Sequence, residues 1–278
     1  MASRLAPAKI NLTLHVTGQR ADGYHLLDSI VVFAEVGDRL SLAAGEELTL
    51  ALSGRYGDAL SAESDNLVLR AARLAGARHA AFHLDKALPL ASGMGGGSSD
   101  AAAALHLLAD AQGCALPETS ALMGLGADLP VCMLAPQPAR MRGLGEVVQP
   151  LDGVPALWLL LVNPGQGLST PSVFKALTQK SNPPMPEVLP HWRDSADLCQ
   201  WLTGQRNDLE APARRLMPEI GAILDQIAAQ PGCRLARMTG SGATCFGLFA
   251  DKASLTAAAE ALALPGRFVA ATRSLGSA

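Results

Sequence analysis

Aromatic residues are scarce in this chain: Phe, Trp and Tyr together make up 4% of its 278 residues. That leaves few platforms on which successive nucleic-acid bases could stack. Charge is thin as well, 17% Asp, Glu, Lys and Arg against a usual ~25%. The formal net charge of −3 carries no excess of Lys and Arg for neutralising a phosphate backbone. The apolar fraction of 49% is ordinary, which excludes an intrinsically disordered chain. The cysteines Cys114, Cys132, Cys199, Cys233 and Cys245 are odd in number, widely spaced and without a Cys-x-x-Cys pair, so neither a disulfide framework nor a structural zinc site is expected. The histidines show no ligand spacing, and no metal-binding cluster is read. No apolar run approaches the ~20 residues that span a bilayer; the best is Val154 to Val162, and Met1 to Val16 holds no uninterrupted apolar leader. These absences predict a cytoplasmic protein with no nucleic-acid and no membrane partner, whose ligand is a small polar or anionic metabolite. Nothing in the sequence bears on oligomeric state.

What the chain has in excess is glycine, 27 residues, roughly a tenth against a usual ~7%. Its length suits one large domain or two ordinary ones. Ile10, Leu12, Leu14 and Val16 alternate with polar residues, the period of a half-buried strand. Asp22-Gly23 is a turn signal, followed by strand-like runs at Leu26 to Val36, Leu40/Leu42 and Leu48/Leu50/Leu52. Ser64-Asp65-Asn66 offers cap residues for a helix through about Ala75, and Ala81 to Leu84 reads as a strand. Ala101 to Ala111 is a strong helix ended by Gly113. A short helix after Pro117 and strands at Ala139 to Arg142 and Glu146 to Leu151 complete the first half. Prolines and a glycine in Gln149 to Pro155 mark a domain boundary, giving units 1–152 and 153–278. The second unit reads as a strand (Leu157 to Val162), a helix from Thr170-Pro171, a Pro-rich connector (Asn182 to Pro190), and helices between Asp194 and Gln230. It ends strand, strand, helix, strand, over 234–238, 244–249, 253–263 and 267–272. That order is the split βαβ of a ferredoxin-like domain, and the fold class is α+β.

Pro89-Leu90-Ala91-Ser92-Gly93-Met94-Gly95-Gly96-Gly97-Ser98-Ser99 lies between a predicted strand and a predicted helix. Its glycines let backbone approach a ligand closely, and free N–H groups at the helix start suit phosphate oxygens. It is neither a Walker loop, lacking Gly-Lys-Ser/Thr, nor a dinucleotide fingerprint, since Ser98 falls at the third required glycine. A flexible linker is the alternative, but a linker does not normally feed straight into a strong helix.

This loop, together with Pro7-Ala8-Lys9-Ile10-Asn11 and Gly240-Ser241-Gly242-Ala243-Thr244, resembles the three ordered motifs of the galactokinase, homoserine kinase, mevalonate kinase and phosphomevalonate kinase (GHMP) superfamily. Asp22-Gly23-Tyr24-His25, Gly126-Ala127-Asp128-Leu129-Pro130, Gly143-Leu144-Gly145-Glu146 and Asn207-Asp208-Leu209-Glu210 resemble segments of one branch of it. That branch phosphorylates the 2-hydroxyl of 4-diphosphocytidyl-2-C-methyl-D-erythritol in the non-mevalonate isoprenoid route. The resemblance spans about Ala6 to Phe249 and implies a two-domain GHMP-kinase-like fold with an ATP-binding first unit and a substrate-closing second one. Two positions depart from the family's pattern: Met94, where leucine is usual, and Leu134-Ala135-Pro136, where a glycine is common. The first swap conserves volume; the second touches a turn and removes no reactive group.

The resemblance implies ATP as phosphoryl donor, with Mg2+ expected to arrive on its phosphates, and Pro89 to Ser99 as the loop that covers them. Asp128 is the expected base, although a residue before Leu129-Pro130 is also suited to capping a helix, where the dipole favours its negative charge. Lys9 interrupts an apolar strand start, where a charge is paired or functional unless it faces water. A lysine opposite Asp128 would favour negative charge developing on the acceptor hydroxyl. Asn11 shares the Lys9 face of the strand and is an expected substrate contact. By the same resemblance Tyr24 stacks on the cytosine, His25 reads its edge and Phe174 supplies a second stacking ring, though Phe174 also suits a helix core. Thr170 is either substrate-lining or the cap of its helix, and Gly240, Ser241 and Gly242 either close over substrate or merely turn a hairpin. Asn207-Asp208 reads as helix-start structure. Two rival readings stay open: the same fold acting on mevalonate, homoserine or a sugar, and a non-catalytic nucleotide- or RNA-binding module.

Overall fold

The computed structural model describes residues 2–60 and 65–276. Its first half is built on strand β1 (Ala2–Asn11), β2 (His15–Gln19) and β3 (His25–Ala43), followed by β4 (Leu48–Ser53), helix α1 (Leu67–Leu74) and β5 (Ala80–Asp85). Then come α2 (Gly96–Gln112), α3 (Thr119–Met123), α4 (Leu129–Cys132), β6 (Ala139–Gly143) and β7 (Val147–Pro150). These strands form a seven-stranded sheet of order β4-β5-β3-β6-β7, with β1 and β2 also paired to β3. The 19-residue β3 is its spine: Leu40 and Leu42, expected in a strand of their own, continue the run that starts at His25. One strand can do this because its two edges are shared out along its length, Val31 to Leu42 pairing β1 on one side while Leu27 to Val31 pair β6 and Arg39 to Ala43 pair β5.

The expected half-buried strand through Ile10 to Val16 is corrected twice. It breaks between Asn11 and His15, and its polar positions Asn11, Thr13 and His15 are as buried as its apolar ones. The reason is cover from the second half of the chain. Thr239 Oγ1 accepts from the Asn11 N–H at 2.9 Å, Thr13 Oγ1 donates to Met185 Sδ at 3.3 Å, and the Arg206 N–H reaches His15 Nε2 at 3.4 Å.

The chain leaves the first sheet at Pro150 and enters the second with β8 (Trp158–Asn163). Helices α5 (Thr170–Lys175), α6 (Ser195–Thr203), α7 (Glu210–Leu216) and α8 (Glu219–Ala228) follow, then β9 (Cys233–Met238), β10 (Cys245–Phe249), α9 (Lys252–Leu262) and β11 (Phe268–Arg273). The sheet is antiparallel in the order β11-β8-β10-β9, the interleaving of a split βαβ repeated twice, with the helices segregated from the strands. The two sheets share a core in which Ala8, Ile10, Leu12, Ile30 and Val32 meet Leu159, Leu161, Phe246 and Leu248. The halves are also cross-tied by buried polar groups. Arg237 donates to the carbonyls of Leu12, Leu202 and Gln205. Arg140, paired in a fork with Asp28 at 2.8 Å, holds the carbonyls of Pro186 and Glu187 in the Pro-rich connector.

Asn66 caps α1, its side chain accepting from the Val68 N–H; Ser64, also expected at that cap, lies outside the described residues. Helix α2 starts five residues earlier than its alanine run suggests, because Gly96 to Asp100 already coil as its first turn. Its buried face, including Ala101, Ala103, Ala104, Leu105 and Leu108, lies on the first sheet. Small side chains let helix and sheet come close, and this fixes where the helix start points.

Candidate active site

A cleft of about 1410 Å³ opens where the start of α2, the turn between β9 and β10 and the first sheet meet. Lys9 reaches it through an irregularity in its own strand. The β1–β3 register shifts between Pro7 and Lys9, a bulge that re-aims a side chain, and the Lys9 N–H bonds the Met94 carbonyl of the glycine loop at 2.9 Å. The Lys9 side chain is 3% exposed. Its Nζ donates to Asn11 Oδ1 and to Asp128 Oδ2, each at 2.9 Å. Asn11 Nδ2 donates to Ser29 Oγ at 2.8 Å, so Asn11 serves first to orient Lys9. Asp128 occupies the cap position of α4, yet its side chain makes no capping hydrogen bond. A four-residue helix has little dipole to offer; the carboxylate's charged partner is Lys9 instead, and it stays 34% exposed toward the cleft.

The glycine loop is pinned, not loose. Beyond the Met94–Lys9 bond, the Ser92 carbonyl accepts from Thr244 N–H at 3.1 Å and the Ala91 carbonyl from Leu168 N–H at 3.2 Å. Gly95 precedes α2 with φ +64°, and a Cβ there would sit 3.0 Å from Lys9 Cε. The left-handed backbone favours glycine, and a Cβ there would press on the Lys9 side chain that the site holds in place. The result opens the N–H groups of Gly96, Gly97 and Ser98, at the start of a 17-residue helix, onto the cleft that Lys9 also lines. Such groups have no partner within the helix and bind anions.

Pro89 to Gly93 and Gly95 to Ser98 line the cleft, whereas Met94 and Ser99 do not. Met94 is wholly buried in the shared core. The Ser99 N–H is taken by the Gly95 carbonyl and its hydroxyl faces Cys132 Sγ at 3.5 Å, because helix geometry carries it to the rear. Ala135 likewise lies behind α2, on a separate cavity of about 280 Å³ with Arg4, Ser99 and Cys132.

At the other end His25 and Phe174 stack, centroids 4.8 Å apart and planes at 24°. Tyr24 beside them is 65% exposed. His25 occupies one face of Phe174, and Phe174 itself lines the cleft. His25 Nε2 is buried with no partner among the described residues, and burial, then the nearby Lys180 charge, lowers its pKa so that the neutral ring is favoured. A neutral imidazole presents one donor and one acceptor nitrogen. Thr170 is the first residue of α5, not its cap, which is Ser169; the Thr170 hydroxyl instead bonds Ser241 Oγ at 2.7 Å across the cleft wall. Gly240 and Ser241 line the cleft, but Gly242 does not: its Cα faces Met238 Sδ and Ile220 in the core. Asn207-Asp208 is more than a helix start. Asn207 Nδ2 donates to the carbonyls of Met238 and Gly240 at 2.8 Å, and Asp208 Oδ2 accepts from the Val16 N–H at 2.7 Å, so the pair ties the glycine turn to β2.

Sequence reasoning missed Lys86, Asp38 and Asp100. Lys86 Nζ donates to Asp38 Oδ2 at 2.5 Å and to Asp100 Oδ2 at 2.6 Å, all three almost wholly buried beneath the helix start. Burial pushes the Asp100 carboxyl up to about 7, an effect that Lys86 only partly offsets. Asp38 is better satisfied, its Oδ1 also accepting from the N–H groups of Ala87 and Leu88. The available signal was a weaker form of the one that singled out Lys9, a charged pair set between apolar residues, in Leu84-Asp85-Lys86-Ala87-Leu88. Among the described residues no group of three or more His, Cys, Asp or Glu is set to hold a metal, and no helix is long and apolar enough to cross a membrane.

Comparison with known proteins gives this geometry a family. Residues 66–135 match the GHMP kinases N terminal domain, and residues 187–267 match GHMP kinases C terminal. The 4-diphosphocytidyl-2-C-methyl-D-erythritol kinase of Cereibacter sphaeroides is 54% identical over 99% of this chain and 100% of its own. That of Paracoccus denitrificans is 57% identical over 96% and 94%. A crystal structure of 4-(cytidine 5'-diphospho)-2C-methyl-D-erythritol kinase superposes with TM-score 0.78 at 32% identity, covering 99% of this chain and 100% of that one. An L. major mevalonate kinase, solved with R-mevalonate, shares the fold at TM-score 0.67 and 17% identity, with 100% and 97% covered. The chain belongs to the GHMP kinases, and within them to the 4-diphosphocytidyl-2-C-methyl-D-erythritol kinase family.

Proposed function

We propose that the protein transfers the γ-phosphoryl group of ATP to the 2-hydroxyl of 4-diphosphocytidyl-2-C-methyl-D-erythritol, giving the 2-phosphate and ADP, in the non-mevalonate pathway. The observation that carries it is the Lys9–Asp128 pair at 2.9 Å in one cleft with both the glycine-rich helix start and the His25/Phe174 stack. Phosphoryl transfer asks mainly for positioning and charge neutralisation. The free N–H groups at Gly96 to Ser98 bind donor phosphate oxygens. Mg2+ accompanying ATP would be held chiefly by the nucleotide's phosphates and would supply neutralisation of the transferring group. Asp128 orients the acceptor hydroxyl and takes its proton, while Lys9 stabilises the oxygen's developing charge and is itself held straight by Asn11. His25, neutral and with an unpartnered nitrogen, reads the cytosine edge; Tyr24, exposed at the rim, stacks on the base. Phe174, in the same cleft wall and stacked on His25, supplies the second stacking ring. Thr170 and Ser241 line the polyol end, with Gly240 bringing the β9–β10 turn onto the glycine loop. In this reading residues 1–152 form the ATP-binding unit and 153–278 the one that closes over substrate.

Incubation of purified protein with ATP, Mg2+ and the cytidyl substrate tests the assignment through ADP release and the acceptor's new phosphate. Asp128→Asn lowers kcat by about 10²–10⁴ and leaves ATP affinity within a few-fold. Full turnover by that variant, or a higher kcat/KM with mevalonate, homoserine or a sugar, rejects it.

A further inference from the structure

The proposed acceptor carries a diphosphate between its base and its polyol, and two negative charges in a cleft need counter-charge. Four cations line the cleft: Lys9, Lys86, Lys175 and Lys180. Two of them are already taken. Lys9 is held by Asp128, and Lys86 lies between two carboxylates, 2% exposed. Neither Lys175 nor Lys180 has a carboxylate within 4.0 Å among the described residues; Lys180 Nζ donates only to the neutral Gln19 Oε1, at 3.2 Å. Both stand at the aromatic end. Lys175 follows Phe174 on α5, whose residues 170, 171, 174 and 175 all reach the cleft, the i, i+1, i+4, i+5 spacing of one helix side. Lys180 is close enough to His25 for its charge to act on that ring, and Gln19, its partner, also bonds the Gly23 carbonyl of the Tyr24-His25 turn through Nε2 at 2.9 Å.

From this we infer that Lys175 and Lys180 are the diphosphate-recognition residues of the acceptor site, and so determine preference for a cytidine diphosphate ester over an uncharged cytidine. The inference rests on the acceptor proposed above. A base held at His25 and a hydroxyl held at Asp128 leave the diphosphate to start from the aromatic end, where these two ammonium groups supply the only unpaired positive charge among the described lining residues.

The test is calorimetric titration with cytidine 5′-diphosphate and with cytidine, the donor site filled with a non-hydrolysable ATP analogue, for the wild-type protein, K175Q, K180Q and the double variant. Both lysines are exposed, so the melting temperature serves as a check that folding is unaffected. The wild-type protein is expected to bind the diphosphate more tightly than cytidine. Each single substitution weakens diphosphate binding about 5-fold, the size of one partly screened charge contact, with cytidine unchanged within two-fold. The double variant binds the two ligands nearly alike, and its diphosphate affinity depends less steeply on salt. Equal loss for both ligands, or an unaltered diphosphate affinity in the double variant, overturns the assignment. If the wild-type protein binds both ligands equally, the diphosphate role fails while the cytidyl acceptor stands. Should it bind neither, the acceptor reading itself fails.

Discussion

Gly93→Ala asks how much of the site depends on contact between two loops distant in sequence. Gly93 has φ +78°, and a Cβ there would lie 2.6 Å from the Thr239 carbonyl oxygen, 2.7 Å from that of Gly242 and 2.9 Å from the Gly242 nitrogen. All three are backbone atoms, so no side chain can swing aside. The left-handed conformation costs a non-glycine residue roughly 1–2 kcal/mol. Relieving the overlap then requires the glycine loop and the β9–β10 turn to separate by several tenths of an ångström. That strains the Thr244 N–H to Ser92 carbonyl bond and the Gly242 N–H to Thr239 carbonyl bond, each worth about 1 kcal/mol. The expected total is about 3–4 kcal/mol. Gly113→Ala is the control: Gly113 has φ +68° with nothing within 4 Å of its would-be Cβ, so it carries the conformational cost alone, about 1–2 kcal/mol. Urea denaturation of the two variants and the wild-type protein measures the difference, and steady-state kinetics should show a raised KM for ATP only in Gly93→Ala. Equal destabilisation by the two substitutions, with unaltered KM, refutes the claim that the loops are locked by steric contact.

Three further outcomes follow from named groups. Lys86→Met leaves Asp38 and Asp100 buried without their counter-charge and is expected to cost about 3–5 kcal/mol, read as a lower denaturation midpoint; a loss under 1 kcal/mol contradicts the paired-charge account. Because burial raises the Asp100 pKa from 3.8 to about 7, the folded state holds this proton more tightly than the unfolded one. Its stabilising contribution is full below pH 4 and is lost as pH rises through 7, a swing of about 2–3 kcal/mol between pH 5 and pH 8. Asp100→Asn should flatten the stability–pH curve by that amount, and an unchanged curve removes the group from the account. Phe174→Ala should raise the acceptor KM by about 5- to 100-fold, the range for losing aromatic support at a base site, and leave the KM for ATP unmoved; a parallel rise in both points to general disruption of α5.

Most elements of the second half were legible because each has a local cause. Asp194 and Asp251 cap α6 and α9 with their own carboxylates, and the strands are short apolar runs bounded by glycine or proline. The first half was less transparent. Leu40 and Leu42 were set apart from β3 because a 19-residue strand has no local signature; it persists only because different strands take over along its edges. The apparent half-exposed alternation from Ile10 to Val16 failed since the polar face is covered by Thr239, Met185 and Arg206, which lie more than 170 residues away. Helix α2 began early because glycine propensity argues against a helix turn that tertiary contacts impose. In the site, Lys9 was visible as a charge in an apolar strand and Asp128 through the resemblance carried by Gly126 to Pro130, whereas Asp38 and Asp100 were not, each sitting beside charged or polar neighbours in sequence.

The amino-acid sequence by itself determined the inventory: a glycine-rich loop before an alanine helix, a lysine in an apolar strand, an acid ahead of a proline, and a βαββαβ tail. Those are local properties, set by backbone freedom, capping and side-chain period. Tertiary structure alone decided which members of the inventory meet. It paired Lys9 with Asp128 across 119 residues, turned Ser99 and Gly242 away from the cleft, stacked His25 on Phe174, and left Lys175 and Lys180 as cleft cations without acidic partners among the described residues. The physical reason is that charge pairing and burial depend on distances between segments, and a pattern along one segment holds no record of what the rest of the chain brings against it.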